Sequence, residues 1–555
     1  MVSNSPAKNK LKKFLARTLF ILPEWVYIGI MVKTSKLPAF LALLAFIVLL
    51  PIVLKIDFMQ NDDWVYVRNV RNFLTGNFTL DPLTAPTFYL QGIFGGGFSL
   101  LFGTERLPVL TLVVTCIALY LFLKICESYI AGDGKYGKAF MLAACMLLFI
   151  FNPLITYSVL GFMSENYFLM FALIAFYFFI KSQPLVWKKL ILANSFVVAA
   201  FFVRQVAFVL PLAFTVSLVI DKQYKKALIE LLFFGGLYVF YLLGFPQTPE
   251  MYEKPLEFKH LLDYQYVFAL SYGILIYLFA FTIPVAGSVL VRYLPKKPLA
   301  IVLVAIASAA IYVFMQSHFH PSRLSWGEFP YLDNTFERTG FFSRGILGTK
   351  YQFYFIYDLY LYWDIAAKVF IALFVPAFLI GLYKCNPYKY KKQLLHPALV
   401  YVVIYFALMV VTQKVYDRYL TGILPFFLIY LISQLKKVVL VDKLIWLVFG
   451  AGLTFFSLQF ALDFVVTNSY VWHKSVELAK VSSLPRESIQ GTNAWKLINR
   501  NDTRHYVYDF SFDSQNVNEK YLTDYKLIEE KLLTYPGSMF IQPKIYLYKR
   551  VKPYD

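Results

Sequence analysis

Charge is what this sequence has least of. Of 555 residues only 15% are Asp, Glu, Lys or Arg, while 59% are hydrophobic and 19% aromatic; a soluble protein carries about 25% charged residues. So little polar sequence cannot cover a water-facing surface of this size, which excludes a soluble globular protein, and the apolar content excludes a disordered chain or a coiled coil. Cysteine is nearly missing as well. Four cysteines in 555 residues staple nothing, and a disulfide scaffold is excluded. Acids are scarcer than bases, 33 against 53, for a formal net charge of +20. In a soluble chain that excess would suggest nucleic acid; here the placement of the bases matters more than their sum. Internal repeats and low-complexity runs are not evident, so solenoids and inverted-repeat carriers gain no support. What is left is an integral membrane protein.

Apolar stretches near the ~20 residues that cross a bilayer fall at about 37 to 55, 106 to 125, 139 to 160, 164 to 180, 227 to 244, 267 to 291, 299 to 315, 361 to 383, 397 to 412, 419 to 434 and 444 to 462. A further run from Leu190 to Ile220 is broken by Arg204 and Gln205 and reads as two short spans meeting at the far membrane face, for about thirteen spans in all. With the N-terminus inside, every inner loop is basic: Lys8 to Arg17, Lys135 and Lys138, Lys188 and Lys189, Lys222 to Lys226, Arg292 to Lys297, Lys384 to Lys392, Lys436 and Lys437. That is the positive-inside pattern, and it holds only if the 190 to 220 run is split. Residues 17 to 33 read as an interfacial helix. Three long segments then lie outside, at 56 to 105, 316 to 357 and beyond about 466. The expected organisation is a membrane-embedded module over 1–465 and a small α/β domain over 466–555. In the latter, NEKYLTDYKLIEEKLL looks helical and HYVYDFSF and KIYLYK look like strands.

The first outer loop carries the densest chemistry. It opens with Asn61, Asp62 and Asp63 directly after the first span, followed by a helix bearing Arg68 and Arg71 and then by the Gly-rich apolar stretch FYLQGIFGGGFSLLFG. Paired carboxylates at the membrane edge are partly desolvated, and burial beside a like charge lifts a carboxylate toward the range of a general base. The plainer alternative is that the pair caps the helix that follows.

NDDWVYVRNVRNFL followed by QGIFGGGFSLLFGTERLPVL resembles the first-loop signature of the GT-C superfamily of integral membrane glycosyltransferases, in particular the bacterial relatives of protein O-mannosyltransferases and of the lipid A aminoarabinose transferase. In that family an Asp-Glu-x-x-Tyr box opens the loop and a Gly-x-x-x-x-Arg-Leu-Pro box closes it. Asp62, Asp63 and Tyr66 stand in the first, and Gly103, Arg106, Leu107 and Pro108 in the second. The resemblance implies a GT-C fold with an inside N-terminus and an outer C-terminal domain. It implies Asp62 as the catalytic acid with Asp63 supporting it, and Glu165 (in GFMSENYFLMF) as the second acid. It also implies a basic residue at the break between spans five and six, which is Arg204, and an Arg-Tyr pair opening a late span, which is Arg418 and Tyr419. The family's Lys-Pro-Pro box, associated with the lipid phosphate, is absent: Ala85 to Phe88 read Ala-Pro-Thr-Phe. Which cation holds the phosphate is thereby left open.

Each of these residues also has an ordinary reading. Glu165 suits the first turn of any helix, and Arg418 suits an interfacial snorkeller. Arg204 is harder to dismiss, since a charge in an apolar run costs roughly 2.5–3.5 kcal/mol on insertion scales. Arg323, Arg338 and Arg344 are further candidates for substrate contact in the 316 to 357 segment. His318 and His320 resemble a metal pair only faintly, since two ligands at that spacing do not make a site, and a divalent metal is kept as the lesser alternative to none.

The expected activity, as the resemblance implies it, moves a sugar from a polyprenyl-phosphate donor to a lipid, glycan or protein acceptor at the outer face of a bacterial inner membrane. Asp62 would act as general base with inversion. No cofactor is required and no nucleic acid is involved. A multi-span transporter or flippase is the alternative, and it would want ionisable groups at mid-membrane depth.

Overall fold

A computed structural model describes residues 36–60, 62–130, 134–180, 186–245, 261–293, 298–318, 396–411, 415–435, 438–499, 506–511, 524–540 and 543–552, with isolated positions between 332 and 376. The interfacial helix expected at 17 to 33 lies outside these residues, as do most of the span expected at 361 to 383 and most of the 316 to 357 segment.

The chain is mostly helical. In order come α1 (Leu37–Val53), α2 (Asp63–Leu74), α3 (Tyr89–Phe102), α4 (Leu107–Tyr129), α5 (Gly134–Ile150), α6 (Pro153–Val159), α7 (Ser164–Ile180), α8 (Trp187–Phe201), α9 (Val209–Ile220), α10 (Tyr224–Gly244), α11 (Tyr264–Tyr293) and α12 (Pro298–His318). A two-stranded hairpin, β1 (Phe336–Glu337) and β2 (Gly340–Phe341), precedes α13 (Pro397–Val411), α14 (Leu424–Ser433) and α15 (Leu440–Val481). The tail folds as β3 (Ile489–Gln490), α16 (Asn493–Ile498), β4 (Tyr508–Ser511), β5 (Tyr525–Leu532) and β6 (Lys544–Arg550).

Among the described residues, four stretches are long and apolar enough to cross a bilayer alone: Thr104–Tyr129, Tyr224–Gly244, Tyr266–Val291 and Leu440–Val481. Gly137–Ile150 and Pro153–Val159 add a fifth if taken as one span bent by 64°. That bend is written in the sequence. Asn152 accepts a hydrogen bond from the Leu154 N–H at 3.0 Å and Pro153 opens α6, so a helix is stopped and restarted in the middle of an apolar run. Shorter apolar helices, α1, α3, α7, α13 and α14 among them, complete a set compatible with a membrane protein.

Helix α7 sits at the centre, packed against α4 and α8 and buried over nearly its whole length. The 190 to 220 run is split as its charges require: α8 ends at Phe201, Arg204 is extended (φ −148°, ψ 131°), and α9 begins at Val209.

Two expectations differ from the structure. The boundary drawn between 465 and 466 falls inside α15, which continues unbroken for 42 residues. The helix-like segment of the tail is in part a strand: Tyr525–Leu532 is β5, paired antiparallel with β6. Its Leu, Glu and Lys residues are good helix formers, but β6 offers an edge and the pairing overrides propensity. The tail forms one mixed sheet in the order β3-β4-β6-β5, with β3 parallel to β4 and the other pairs antiparallel.

Candidate active site

Four charged residues from four separate elements meet at one end of the bundle. Asp62 immediately precedes α2, Glu165 lies in the first turn of α7, Arg204 is in the break between α8 and α9, and Arg418 is in a 3₁₀ turn, Asp417–Gly422, before α14. They form a continuous chain of ion pairs. Arg418 Nη1 donates to Asp62 Oδ2 at 2.7 Å across 356 residues of sequence. Its Nε lies 3.6 Å from Glu165 Oε1, which also accepts from Arg204 Nη1 at 2.8 Å. Arg204 Nη1 reaches Ser164 Oγ at 3.0 Å as well. Tyr419 presents its ring to both guanidiniums, 4.8 Å from Arg204 and 5.8 Å from Arg418, and Tyr416 lies 5.3 Å from Arg418. Nearby carboxylates hold the Arg418 guanidinium protonated against the opposing effect of burial.

Local sequence explains the placement. The Gly-rich α3 packs closely on its neighbours: a Cβ on Gly95 would stand 2.6 Å from Phe162 Cζ and 2.9 Å from Val70 Cγ2, so only glycine brings α3 this close. Just past the end of α2, Gly76 takes a positive φ of 86°, with Asn77 N–H bonded to the Asn72 carbonyl at 3.0 Å, a C-terminal cap that favours glycine. Two tyrosines of α13 anchor the 3₁₀ turn: Tyr401 donates to the Gly422 carbonyl at 3.0 Å and Tyr405 to the Tyr419 carbonyl at 3.2 Å. The Asp417 carboxylate accepts from the Thr335 N–H at 3.0 and 3.1 Å.

The aspartate pair divides its labour. Asp62 caps nothing: its side chain makes no hydrogen bond to the α2 backbone, which removes the plain capping reading, and 34% of it is exposed beside Arg418. Asp63 is buried. Its oxygens accept from the Phe162 N–H at 2.9 Å and the Gln60 N–H at 3.3 Å, and Gln60 in turn donates to the Tyr157 carbonyl at 3.0 Å. Burial pushes the Asp63 carboxyl up to about 8, against the two backbone donors that lower it; the charges of Asp62 and Glu165 add to the rise. Tyr66 is buried next to both acids and stacks on Phe88 at 4.8 Å, and burial keeps its phenol protonated.

Glu165 Oε2 and Arg418 Nε are buried with no hydrogen-bond partner among the described residues. Buried polar atoms normally find partners, so these two mark where a bound polar group would be satisfied.

The structure therefore brings together Asp62, Asp63, Tyr66, Glu165, Arg204, Arg418 and Tyr419. Arg106 stands apart: it is exposed and donates to the Leu54 carbonyl at 3.2 Å, tying the start of α4 to the end of α1. Arg323, Arg338 and Arg344 lie outside the described residues, as does His320. Among the described residues no group of three or more His, Cys, Asp or Glu side chains is placed to hold a metal. Sequence reasoning missed Ser164, Tyr416 and Asp417, although the last two flank the Arg-Tyr pair that drew attention to the turn.

No protein-family model, curated protein or solved structure matches this chain.

Proposed function

We propose that this chain is a GT-C-type glycosyltransferase with about thirteen spans, which moves a sugar from a polyprenyl-phosphate donor to an acceptor at the outer face of a bacterial inner membrane. The observation that carries the reading is the ion-pair chain Asp62–Arg418–Glu165–Arg204. Its members are the residues to which the first-loop, α7, mid-run and late-turn motifs correspond, gathered from distant parts of the sequence. Their clustering at helix ends, away from mid-span, favours an enzyme over a conduit.

Departure of a polyprenyl phosphate develops negative charge, which a guanidinium neutralises through two parallel hydrogen bonds. Arg204 and Arg418 stand ready for that role in place of the missing lysine box. Glu165 holds both cations in position, and Tyr419 supports them from one side. Asp62, partly exposed and held by Arg418, takes the proton from the acceptor hydroxyl or amine as it attacks the anomeric carbon from the face opposite the phosphate. The product is inverted, and no covalent intermediate or cofactor is called for.

The test is Asp62→Asn, which keeps size but accepts no proton. Transfer from a polyprenyl-phosphate sugar should fall by about 10²–10⁴-fold, the usual worth of general-base catalysis, with donor binding nearly intact. Full transfer by the variant would end the proposal.

A further inference from the structure

The first turn of α3 touches both stretches of backbone that lead into the Glu165–Arg204 pair. Its Leu90 N–H donates to the Phe202 carbonyl at 2.9 Å, and its Gln91 Nε2 donates to the Phe162 carbonyl at 3.0 Å. Phe202 closes α8 just before Arg204, and Phe162 lies just before the first turn of α7, which carries Glu165. Adjacent residues of one helix therefore fix the two approaches, one to the acid and one to the base.

The two bonds have different origins. The leading N–H groups of a helix and its closing carbonyls find no partner inside it, so the start of α3 and the end of α8 each supply what the other lacks. Nothing of the kind forces the bond from Gln91. This side chain is fully buried, and its Oε1 has no hydrogen-bond partner among the described residues. A methionine would fill the same space without leaving a buried acceptor unmet, which is destabilising. Packing therefore does not account for an amide here, whereas the bond to Phe162 does. Phe162 is in fact held at both of its polar backbone groups, since its N–H donates to Asp63 Oδ1 at 2.9 Å.

Holding Phe162 holds Glu165. The Oε1 of Glu165 is shared between Arg204 Nη1 at 2.8 Å and Arg418 Nε at 3.6 Å, so a small shift of α7 against the α8–α9 break changes how both guanidiniums are aimed. We infer that Gln91 is a positioning residue: through Phe162 it sets Glu165 in register with Arg204, and through Glu165 it orients the two cations. The inference rests on the transferase reading for its kinetic consequence, but not for its geometry. Loosened guanidiniums still attract a phosphate by charge. They lose the fork alignment that matters as the phosphate departs, so the effect belongs to kcat rather than to donor KM.

The experiment uses the full chain and two variants of matched size, Gln91→Met and Gln91→Glu, with a polyprenyl-phosphate sugar as donor. Gln91→Met has no donor group and should lower kcat by about 10- to 100-fold with donor KM within about twofold. In Gln91→Glu the introduced carboxyl donates to the Phe162 carbonyl while protonated and repels it once ionised. Its kcat relative to wild type should therefore fall as pH rises, whereas a residue that only fills space gives a constant ratio. Protonated at low pH, this variant also carries the test if Gln91→Met does not fold. A double-mutant cycle read by melting temperature needs no substrate: Gln91→Met should cost less in a Glu165→Gln background than in wild type, because the pair that Gln91 positions is already gone. Additive losses in the cycle, or a kcat ratio that is flat across pH, overturn the positioning role. Wild type that transfers no sugar while the cycle stays non-additive removes the transferase reading instead and leaves the brace.

Discussion

Burial takes Asp63 out of water while a third of Asp62 stays in it, and that difference has a measurable sign. The Asp63 carboxyl is raised from 3.8 to about 8. An unfolded chain loses this proton near pH 4, whereas the folded chain holds it until about 8. The folded state therefore binds more protons throughout that window, so stability falls as pH rises through it and levels off above. Asp63→Asn has no proton to lose. Its melting temperature relative to wild type should accordingly be more favourable at pH 8 than at pH 5, whatever constant offset the amide introduces against the Gln60 and Phe162 N–H groups. Parallel pH profiles for the two proteins would show that Asp63 is ionised when folded.

Arg204 offers a second test at this scale. Removing one partner of a buried pair costs about 3–5 kcal/mol, so Arg204→Ala should lower the melting temperature and weaken polyprenyl phosphate binding together. Arg204→Lys should recover most of the stability but only part of the binding, because an ammonium lacks the planar fork. Full recovery of binding by lysine would mean that a point charge suffices.

Among the elements, α3 depends most on the smallness of its residues. Gly95→Val should force α3 away from Phe162, whose N–H holds Asp63, at a cost of about 1–3 kcal/mol for overpacking and with a marked loss of transfer. Gly96→Ala meets only Leu74 Cδ2 at 3.8 Å and should be neutral or stabilising by up to about 1 kcal/mol, because alanine is the better helix former. Chemical denaturation of the two variants checks the contrast. The break between α8 and α9 sets a further expectation, since splitting the 190 to 220 run reverses the sidedness of everything after it. On the proposed topology a cysteine at Lys225 should resist a membrane-impermeant maleimide added outside, and one at Lys526 should react. Cys116, Cys126 and Cys145 are buried, and replacing Cys385 by serine removes the remaining native thiol from the background. Reversed labelling would overturn the orientation.

Across the whole molecule, the tail domain and the aspartate pair are one packed unit. Trp64 and Val65, directly after Asp63, are buried against Ala494 of α16, with Trp472 of α15 alongside. Ala494→Arg should pry α16 from α2 and depress transfer without touching any charged residue of the site; faster hydrogen exchange over residues 63–66 would confirm the route.

Little of that packing is legible in the sequence, because nothing local to Ala494 says that it will meet Trp64. What is legible follows from strong local constraints. Arg204 and Gln205 inside an apolar run mark the α8–α9 break, and the acidic pair after the first span marks the site's edge. The ion pair from Arg418 to Asp62 spans 356 residues, and only the packed bundle can close such a distance. Residues 525–532 mislead for a related reason: their composition favours a helix, and the partner strand that decides otherwise comes later in the chain.

The unbroken run of α15 gives the molecule a mechanical property. At 1.5 Å per residue its 42 residues make a rod of about 63 Å, roughly twice the ~30 Å thickness of a bilayer's hydrocarbon. Only the short turn over residues 482–488 separates its end from the first strand of the tail domain. The rod's near half is packed on α5, and its far half carries Trp472 beside the loop that presents Asp62. Any lean of the rod is thereby felt at the loop that presents Asp62, well beyond the thickness of the hydrocarbon it crosses.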